Sequence, residues 1–301
     1  MNYKLFLECK KAFESKQNII DLVQLKYPNN RSLSIEIAYD LQAGSYIKDF
    51  YNNEKKKRKY TNECGDILKQ YVNNKTEILN VGAGELWTIS LMLERSLIKP
   101  KTVYNLELSW SRIYKGCSFW SNIHSNEINM KPIVANMLEI PLPSNSVDII
   151  TSSHALEPNG SQLQKIIAEL FRVSRNKCIL FEPYYETCSQ EGKDRMDRHG
   201  YIKGILNTVK QLGGIVEQVI PIKNVANVLN PTNYFIITTP RGQVEYYGNR
   251  HFTVPGTEYM LEEKEGCNYS PNTGLAFPII KNIPIFKNQN AILASKYDDT
   301  I

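Results

Sequence analysis

The chain has 301 residues, of which 42% are hydrophobic and 22% charged, the composition of a globular protein with a substantial core. Its net charge of +5 is too small to indicate a nucleic-acid partner by itself, and its apolar stretches are far shorter than the roughly 20 residues that span a bilayer. The six scattered cysteines include no Cys-x-x-Cys pair, which favours free thiols in a cytoplasmic protein over disulfides or a bound metal.

Residues 1–74 are predicted to be polar and helical. Apolar residues recur at helical spacing in Leu5–Phe13 and again in Ile19–Leu25. Five consecutive basic residues follow at Lys55–Lys59, a pattern typical of a solvated helix face. RNA, or a phosphate group on a small ligand, is the functional alternative for this run, although no aromatic residues interleave with it.

Residues 78–85 combine an apolar run with a glycine turn, and a helical pattern follows over Thr88–Ile98. Gly82 and Gly84 let the backbone come close to a ligand, and the helix behind them points free N–H groups at the same place. Glu107 ends the next predicted strand, at about the 20-residue interval that places a carboxylate on a ribose diol. Together these features predict a nucleotide-type cofactor.

The residues around the turn discriminate among such cofactors. Trp87 stands where a dinucleotide fingerprint needs a small residue, which disfavours nicotinamide and flavin cofactors, and no Gly-Lys-Ser/Thr follows for a nucleoside triphosphate. The turn resembles the first motif of class I S-adenosylmethionine-dependent methyltransferases, acidic-x-Gly-x-Gly-x-Gly. Asn80, Gly82, Gly84 and Leu86 occupy its four positions, so the acidic residue and the last glycine are replaced.

Three later blocks have the order and spacing of the same family. Residues 131–143 resemble its third strand and the loop that meets the adenine, and residues 146–158 its fourth strand and the loop that faces the methyl group. After a helical pattern at Leu163–Val173, residues 176–183 resemble its fifth strand. The resemblance implies an α/β fold of the class I methyltransferase (Rossmann-like) type, with a seven-stranded, mostly parallel sheet and helices on both faces.

The last third of the chain is predicted to contain the final helix and strands of this fold, followed by an extension. A helix at 202–212, a glycine stop and strands at 215–222 and 234–239 would form the hairpin that ends the class I sheet. The remaining residues hold short apolar runs interrupted by prolines, and resemble the zinc-ribbon-like end of some bacterial methyltransferases without its metal cysteines. We therefore divide the chain into a helical N-terminal cap (1–74), an S-adenosylmethionine-binding core (75–240) and a C-terminal extension with short strands (241–301).

The resemblance implies S-adenosylmethionine as the cofactor and implies that the N-terminal cap closes over it as a lid. A plain turn between two helices is the alternative for the stretch between Tyr39 and Tyr46. The positions implied to contact the cofactor are Asn80, Gly82, Ala83, Gly84, Glu107, Leu108, Asn136, Met137, Leu138 and Ser153, together with Tyr39 and Tyr46 of the cap.

Polar residues after the predicted fourth and fifth strands are candidates for the chemistry, because ligands of open α/β sheets bind at the carboxyl ends of strands. His154 could act as a general base on a hydroxyl, or it could be a structural histidine. The catalytic candidates are His154, Glu182 and His199, and the candidates for contact with the methyl acceptor are Glu157, Tyr184, Tyr185, Arg195 and Arg198. No metal site is predicted.

The predicted function is transfer of a methyl group to oxygen or nitrogen of a small polar acceptor. By resemblance to bacterial methyltransferases of surface-polysaccharide modification, a sugar or nucleotide sugar is one candidate acceptor. Two alternatives remain: a methyltransferase-like binding module without turnover, and an RNA methyltransferase. The sequence leaves the acceptor and the oligomeric state open.

Overall fold

The computed structural model describes residues 2–124, 127–225, 227, 229–240 and 252–297. The helices are α1 (Tyr3–Glu14), α2 (Ile19–Lys26), α3 (Arg31–Leu41), α4 (Ser45–Asn52), α5 (Glu54–Leu68), α6 (Trp87–Ser96), α7 (Trp110–His124), α8 (Leu163–Val173), α9 (Gln190–His199) and α10 (Ile205–Gln211). The strands are β1 (Glu77–Val81), β2 (Thr102–Glu107), β3 (Asn129–Ala135), β4 (Val147–Ser153), β5 (Ser174–Pro183), β6 (Ile215–Pro221), β7 (Thr232–Thr238), β8 (Glu262–Lys264), β9 (Cys267–Ser270), β10 (Leu275–Ile280), β11 (Ile283–Phe286) and β12 (Ile292–Leu293).

The central sheet has the strand order β6-β7-β5-β4-β1-β2-β3. Strands β1 to β5 are parallel, and β7 lies between β5 and β6 and runs antiparallel to both. All residues of β1 and β2 are buried, as expected for inner strands with helices on both faces. The predicted α/β fold with a mostly parallel central sheet is therefore confirmed, including the antiparallel hairpin at one end, but the predicted number of seven strands is too small, because the sheet continues beyond β3.

The C-terminal strands continue this same sheet. Strand β11 pairs in parallel with β3, through Ile285 opposite Val134 and Phe286 opposite Ala135, and β10, β9 and β8 follow outward. Phe277 and Phe286 are fully buried in the main core cluster. The sequence predicts short strands in this region, but it does not predict that one of them pairs with β3. A proline-interrupted apolar run can form a strand, yet nothing local specifies its partner.

The N-terminal helices form a cap over the carboxyl ends of the strands. Asp40 accepts hydrogen bonds from the Ser109 hydroxyl at 2.7 Å and from the Ser111 N–H at 3.2 Å. The buried Glu85 accepts from the N–H groups of Gly44 and Ile47, both at 2.8 Å. Because these bonds join the cap to the first turns after β1 and β2, the cap is held against the edge where a ligand is expected.

The described part of the chain contains no helix that is long and apolar enough to cross a membrane. It also contains no group of three or more His, Cys, Asp or Glu side chains that could hold a metal ion, and Cys267 of the extension is a free cysteine. His251 has no functional context in the sequence, where we interpret it as a surface or packing residue, and it lies outside the described residues.

Candidate active site

A cavity of about 320 Å³ opens where β1, β2, β3 and β4 end, beneath the cap. Of the positions predicted to contact the cofactor, those on its wall are Tyr39, Tyr46, Gly82, Ala83, Gly84, Glu107, Leu108, Asn136, Met137 and Ser153. Of the positions predicted for the acceptor side, His154 and Glu157 are on the wall. The same cavity thus brings together residues from the cap and from four strand ends.

The glycine turn is shaped by close contacts and by a left-handed backbone. A Cβ atom on Gly82 would lie 2.3 Å from the Cβ atom of Ala155, and one on Gly84 would lie 2.7 Å from a guanidinium nitrogen of Arg112. Both glycines have positive φ angles, +61° and +57°. Leu86, which replaces the last glycine of the motif, keeps a left-handed φ of +61° and is fully buried. A leucine in this conformation costs about 1–2 kcal/mol, which packing in the core must offset.

Glu107 is fixed beside this turn. One carboxylate oxygen accepts from the Gly84 N–H at 2.8 Å, and the other accepts from the Ser109 N–H at 3.0 Å. A carboxylate can accept about four hydrogen bonds, so roughly half of its capacity remains for another partner on the cavity side. This arrangement suits two hydroxyls of a ribose.

The loop after β3 forms the wall opposite the turn. The Asn136 amide nitrogen donates to the Ser32 hydroxyl of α3 at 3.0 Å, and its carbonyl oxygen accepts from the Leu138 N–H at 3.1 Å. Met137 lies on the cavity wall, whereas Leu138 does not and packs against the core. Asn80 is also absent from the wall: it is buried within the sheet, where its amide donates to Asn105 at 2.9 Å. The structure therefore does not bring Asn80 or Leu138 to the cavity.

His154 is a second polar centre on the cavity wall. Its Nδ1 lies 2.9 Å from a Glu157 carboxylate oxygen, and its Nε2 lies 2.8 Å from the Thr232 hydroxyl. The same oxygen of Glu157 accepts from the Asn230 amide at 3.1 Å. The His154 backbone is left-handed, with a φ of +53°, a strained conformation that such a contact network can maintain.

The charges of this pair shift both pKa values. Burial disfavours the charged imidazole of His154, but the charge and hydrogen bond of Glu157 outweigh it, so the pKa of His154 is raised. Burial likewise opposes ionisation of Glu157. The charge and hydrogen bond of His154, with smaller contributions from Asn230 and Arg195, outweigh burial, so the pKa of Glu157 is lowered. The pair is thus a carboxylate–imidazole dyad in which Nδ1 carries a proton toward Glu157.

Glu182 supports the His154 loop from behind and does not line the cavity. It is fully buried and accepts hydrogen bonds from the Ser152 hydroxyl at 2.8 Å and from the N–H groups of Ala155 and Leu156 at 3.0 and 3.2 Å. Burial raises its pKa to about 7. Its position near the end of β5 suggests a catalytic role from the sequence, but its side chain is directed to the Ser152 hydroxyl and to the backbone of the neighbouring loop.

The remaining acceptor-side predictions are not brought to the cavity. The exposed His199 lies on α9, with its ring against Tyr201. Tyr184 packs edge-on against Phe235, and the Tyr185 hydroxyl donates to Asp197 at 3.1 Å. The residues of this group that are absent from the wall are His199, Tyr184, Tyr185, Arg195 and Arg198. Arg195 nevertheless acts on the dyad, since its charge helps to lower the pKa of Glu157.

Several wall residues were missed in the sequence. Lys57 of the basic run lies 5.0 Å above the Trp87 ring and pairs with Asp49 at 2.7 Å, and the Tyr60 hydroxyl lies 2.8 Å from the Ser153 hydroxyl. The other missed residues on the wall include Ser32, Ile35, Lys56, Glu85, Thr88, Arg112, Asn224, Asn227, Asn230 and Thr232. The basic run could have suggested Lys56 and Lys57, since a phosphate group was one of its two functional interpretations.

Comparison with known proteins gives a family for the centre of the chain. Residues 79–181 match the family model described as a methyltransferase domain. No curated protein matches the chain. These 103 residues include the glycine turn, Glu107, His154 and most of β5.

Several solved structures are similar to this chain at low sequence identity. A complex from Haloferax volcanii, between the Trm112 methyltransferase activator and a methyltransferase, matches with a TM-score of 0.52 and 9% identity, over 67% of this chain and 97% of that chain. An S-adenosylmethionine-dependent methyltransferase from Methanosarcina mazei matches with a TM-score of 0.47 and 15% identity, over 58% and 98%. One from Aquifex aeolicus has a TM-score of 0.44 and 16% identity, over 58% and 88%.

The family match and the strand order are consistent with each other. The matched residues run from β1 to β5, and the described chain adds the β7–β6 hairpin on the far side of β5. The glycine cradle and the buried carboxylate at the end of β2 fit the adenosyl part of one cofactor. The chain therefore contains a methyltransferase domain, at residues 79–181, within a fold of the class I type.

Proposed function

We propose that the protein methylates a hydroxyl oxygen of a small polar acceptor, with a sugar or nucleotide sugar as the candidate class. The observation that carries this proposal is the dyad of His154 and Glu157 on the cavity wall. A hydroxyl is a poor nucleophile until its proton is removed, whereas an unprotonated amine needs no base. A positioned imidazole with a carboxylate behind it supplies such a base.

The hydrogen bonds of His154 indicate which nitrogen acts. Nδ1 donates to Glu157, so in the neutral ring Nε2 has the free lone pair, and it accepts from the Thr232 hydroxyl at 2.8 Å. Thr232 is itself on the wall. We propose that the acceptor hydroxyl takes the place of the Thr232 hydroxyl at Nε2 and gives its proton there. Glu157 then stabilises the imidazolium that forms.

The wall beyond the dyad favours a polar, hydroxylated acceptor. It carries the amides of Asn224, Asn227 and Asn230, which can both donate to and accept from hydroxyl groups. Lys57 lies on the same wall with only 19% of its side chain exposed. Its ammonium already pairs with Asp49, so the amides are the stronger indication of a hydroxylated acceptor. These features support the sugar or nucleotide-sugar class.

The residues for the cofactor are those of the glycine turn and the strand ends beside it. Gly82 and Gly84 form the turn on the cavity wall, Glu107 retains acceptor capacity for the ribose hydroxyls, and Asn136 and Met137 would lie beside the adenine. When bound, S-adenosylmethionine supplies a methyl group already activated by its sulfonium. The residues of the chain orient the acceptor behind that group and exclude water, and orientation can contribute several kcal/mol.

Replacement of Glu107 tests the ribose contact. We expect Glu107→Ala to weaken binding of S-adenosylhomocysteine by roughly 1–3 kcal/mol, as for a lost hydrogen bond to a charged group. Isothermal calorimetry measures this, with Glu127→Ala as a control, because Glu127 is exposed and pairs with Lys99 on the surface. An affinity unchanged in Glu107→Ala would place the ribose elsewhere.

A two-stage assay tests the proposed function. Calorimetry first compares S-adenosylhomocysteine with NAD, and we expect only the former to bind. Transfer of a radiolabelled methyl group is then measured on free sugars, nucleotide sugars and small amines, and we expect an O-methylated sugar product. Methylation of amines alone would contradict a hydroxyl acceptor, and binding without any transfer would favour a binding module. Transfer to RNA, with steep loss of RNA retention as salt rises, would favour the RNA alternative.

A further inference from the structure

Arg112 lies on the cavity wall beside the glycine turn, and in the described part of the chain no carboxylate is within hydrogen-bond distance of it. Arg112 is in the first turn of α7, where a positive charge is disfavoured because helix N-termini are themselves positive. Only 11% of its side chain is exposed. One guanidinium nitrogen lies directly against Gly84, at 2.7 Å from the position a Cβ atom would take.

The residues around Arg112 contact its guanidinium but do not complete its hydrogen bonds. The rings of Tyr39 and Tyr46, both from the cap, lie 4.9 and 4.5 Å from its central carbon. The nearest carboxylate is Glu85, at 4.0 Å from Nε, and both Glu85 oxygens already accept from backbone N–H groups of the cap. Among the described residues, Nε has no hydrogen-bond partner, although it is buried.

A buried guanidinium of this kind is costly unless an anion completes its hydrogen bonds. The aromatic rings keep the planar group oriented, which prepares it for the two parallel hydrogen bonds that a carboxylate accepts. Gly84 lies between Arg112 and Glu107, since its N–H donates to Glu107 and its α-carbon faces Arg112. The turn is thus flanked by an acceptor for hydroxyl groups and by a donor for an anion.

We propose that Arg112 binds the carboxylate of the amino-acid end of S-adenosylmethionine, with Tyr39 and Tyr46 clamping the guanidinium. This inference rests on S-adenosylmethionine as the cofactor, and it makes Arg112 a residue that selects cofactors with an intact amino-acid end. Since both rings belong to the cap, it also makes the cap part of carboxylate recognition. Nothing in the glycine motif specifies this arginine.

The experiment combines two proteins with two ligands that differ by one carboxylate. Calorimetry measures the affinities of S-adenosylmethionine and of decarboxylated S-adenosylmethionine for the unchanged protein and for Arg112→Gln. We expect Arg112→Gln to weaken S-adenosylmethionine by roughly 10–100-fold, the value of a charge-assisted pair, and the decarboxylated ligand by no more than about threefold. Equal losses for the two ligands, or no loss for either, would overturn the proposal.

Further variants separate recognition from folding. Arg112→Lys keeps the positive charge but lacks the planar guanidinium. We therefore expect its affinity for S-adenosylmethionine to lie between that of the unchanged protein and that of Arg112→Gln. If Arg112→Gln does not fold, Arg112→Lys takes its place in the experiment. The proposal would again be overturned if the ratio of the affinities for the two ligands were the same in Arg112→Lys as in the unchanged protein. Arg95→Gln is the matched control, because Arg95 pairs with Asp66 on the surface and is absent from the cavity wall. If the unchanged protein binds neither ligand, the cofactor assignment fails instead, a result distinct from the others.

Discussion

His154→Ala is expected to lower the single-turnover rate of methyl transfer to a hydroxyl acceptor by roughly 10²–10⁴-fold, the usual contribution of a positioned general base. The affinity for S-adenosylmethionine should stay close to that of the unchanged protein. The reason is that His154 binds Glu157 and Thr232 at the acceptor end, whereas the predicted ribose contact is at Glu107. Rapid-quench measurement with a radiolabelled methyl group gives the rate of the chemical step.

Two control variants sharpen this result. His199→Ala removes an exposed imidazole outside the cavity and should leave the rate near its original value. Thr232→Val removes the hydroxyl that occupies Nε2, and it should reduce the rate far less than His154→Ala if the acceptor hydroxyl takes that place. A nearly normal rate in His154→Ala would reject the base assignment and favour an amine acceptor that is methylated through alignment alone.

The same dyad predicts a pH dependence with a defined sign. The neutral form of His154 is the base, so the rate should rise with pH through the pKa of His154 and level off above it. Because Glu157 raises that pKa above 6.5, the midpoint should lie above this value. In Glu157→Gln the raising charge is lost while burial still lowers the pKa, so the midpoint should move to lower pH. A midpoint unaffected by Glu157→Gln would show that another group controls the profile.

Lys287→Met is expected to lower the free energy of unfolding by about 3–5 kcal/mol, the typical cost of removing one partner from a buried ion pair. Lys287 directly follows β11, and its ammonium lies 2.8 Å from Glu36 of α3. The exposed fractions of the two side chains are only 6% and 17%, so the remaining carboxylate would stay buried without a partner. Urea unfolding followed by circular dichroism measures the loss.

The double variant Glu36→Met/Lys287→Met should recover most of that stability, because well-packed apolar side chains often replace a buried ion pair at little cost. Lys69→Met is the matched control: Lys69 pairs with Asp66 at 2.7 Å on the surface, where such pairs contribute about 0–1 kcal/mol. A loss from Lys287→Met no larger than that of the control would show that the extension does not hold α3. Since α3 carries Ser32 and Tyr39 of the cavity wall, cofactor affinity should fall together with stability.

The elements whose determinants are local were predictable. Helix α8 lies at the predicted residues, because its apolar spacing defines one buried face. The turn at Gly82 and Gly84 and the carboxylate of Glu107 lie on the cavity wall as predicted, since both follow directly from the ends of buried strands. The strand order then follows from the class I resemblance, because successive blocks had the spacing of known strands.

By itself, then, the sequence determined the class of fold and the strand ends that meet at the site. Tertiary structure alone decided which side chains complete it. His154 and Thr232 are 78 residues apart, and Glu36 and Lys287 are 251 apart, so no local pattern relates the members of either pair. Arg112 and Lys57 resemble ordinary helix-surface residues in the sequence, and become notable only because folding removes them from water beside the cavity. Burial and the identity of a distant partner determine the chemistry of such groups, and both are consequences of packing.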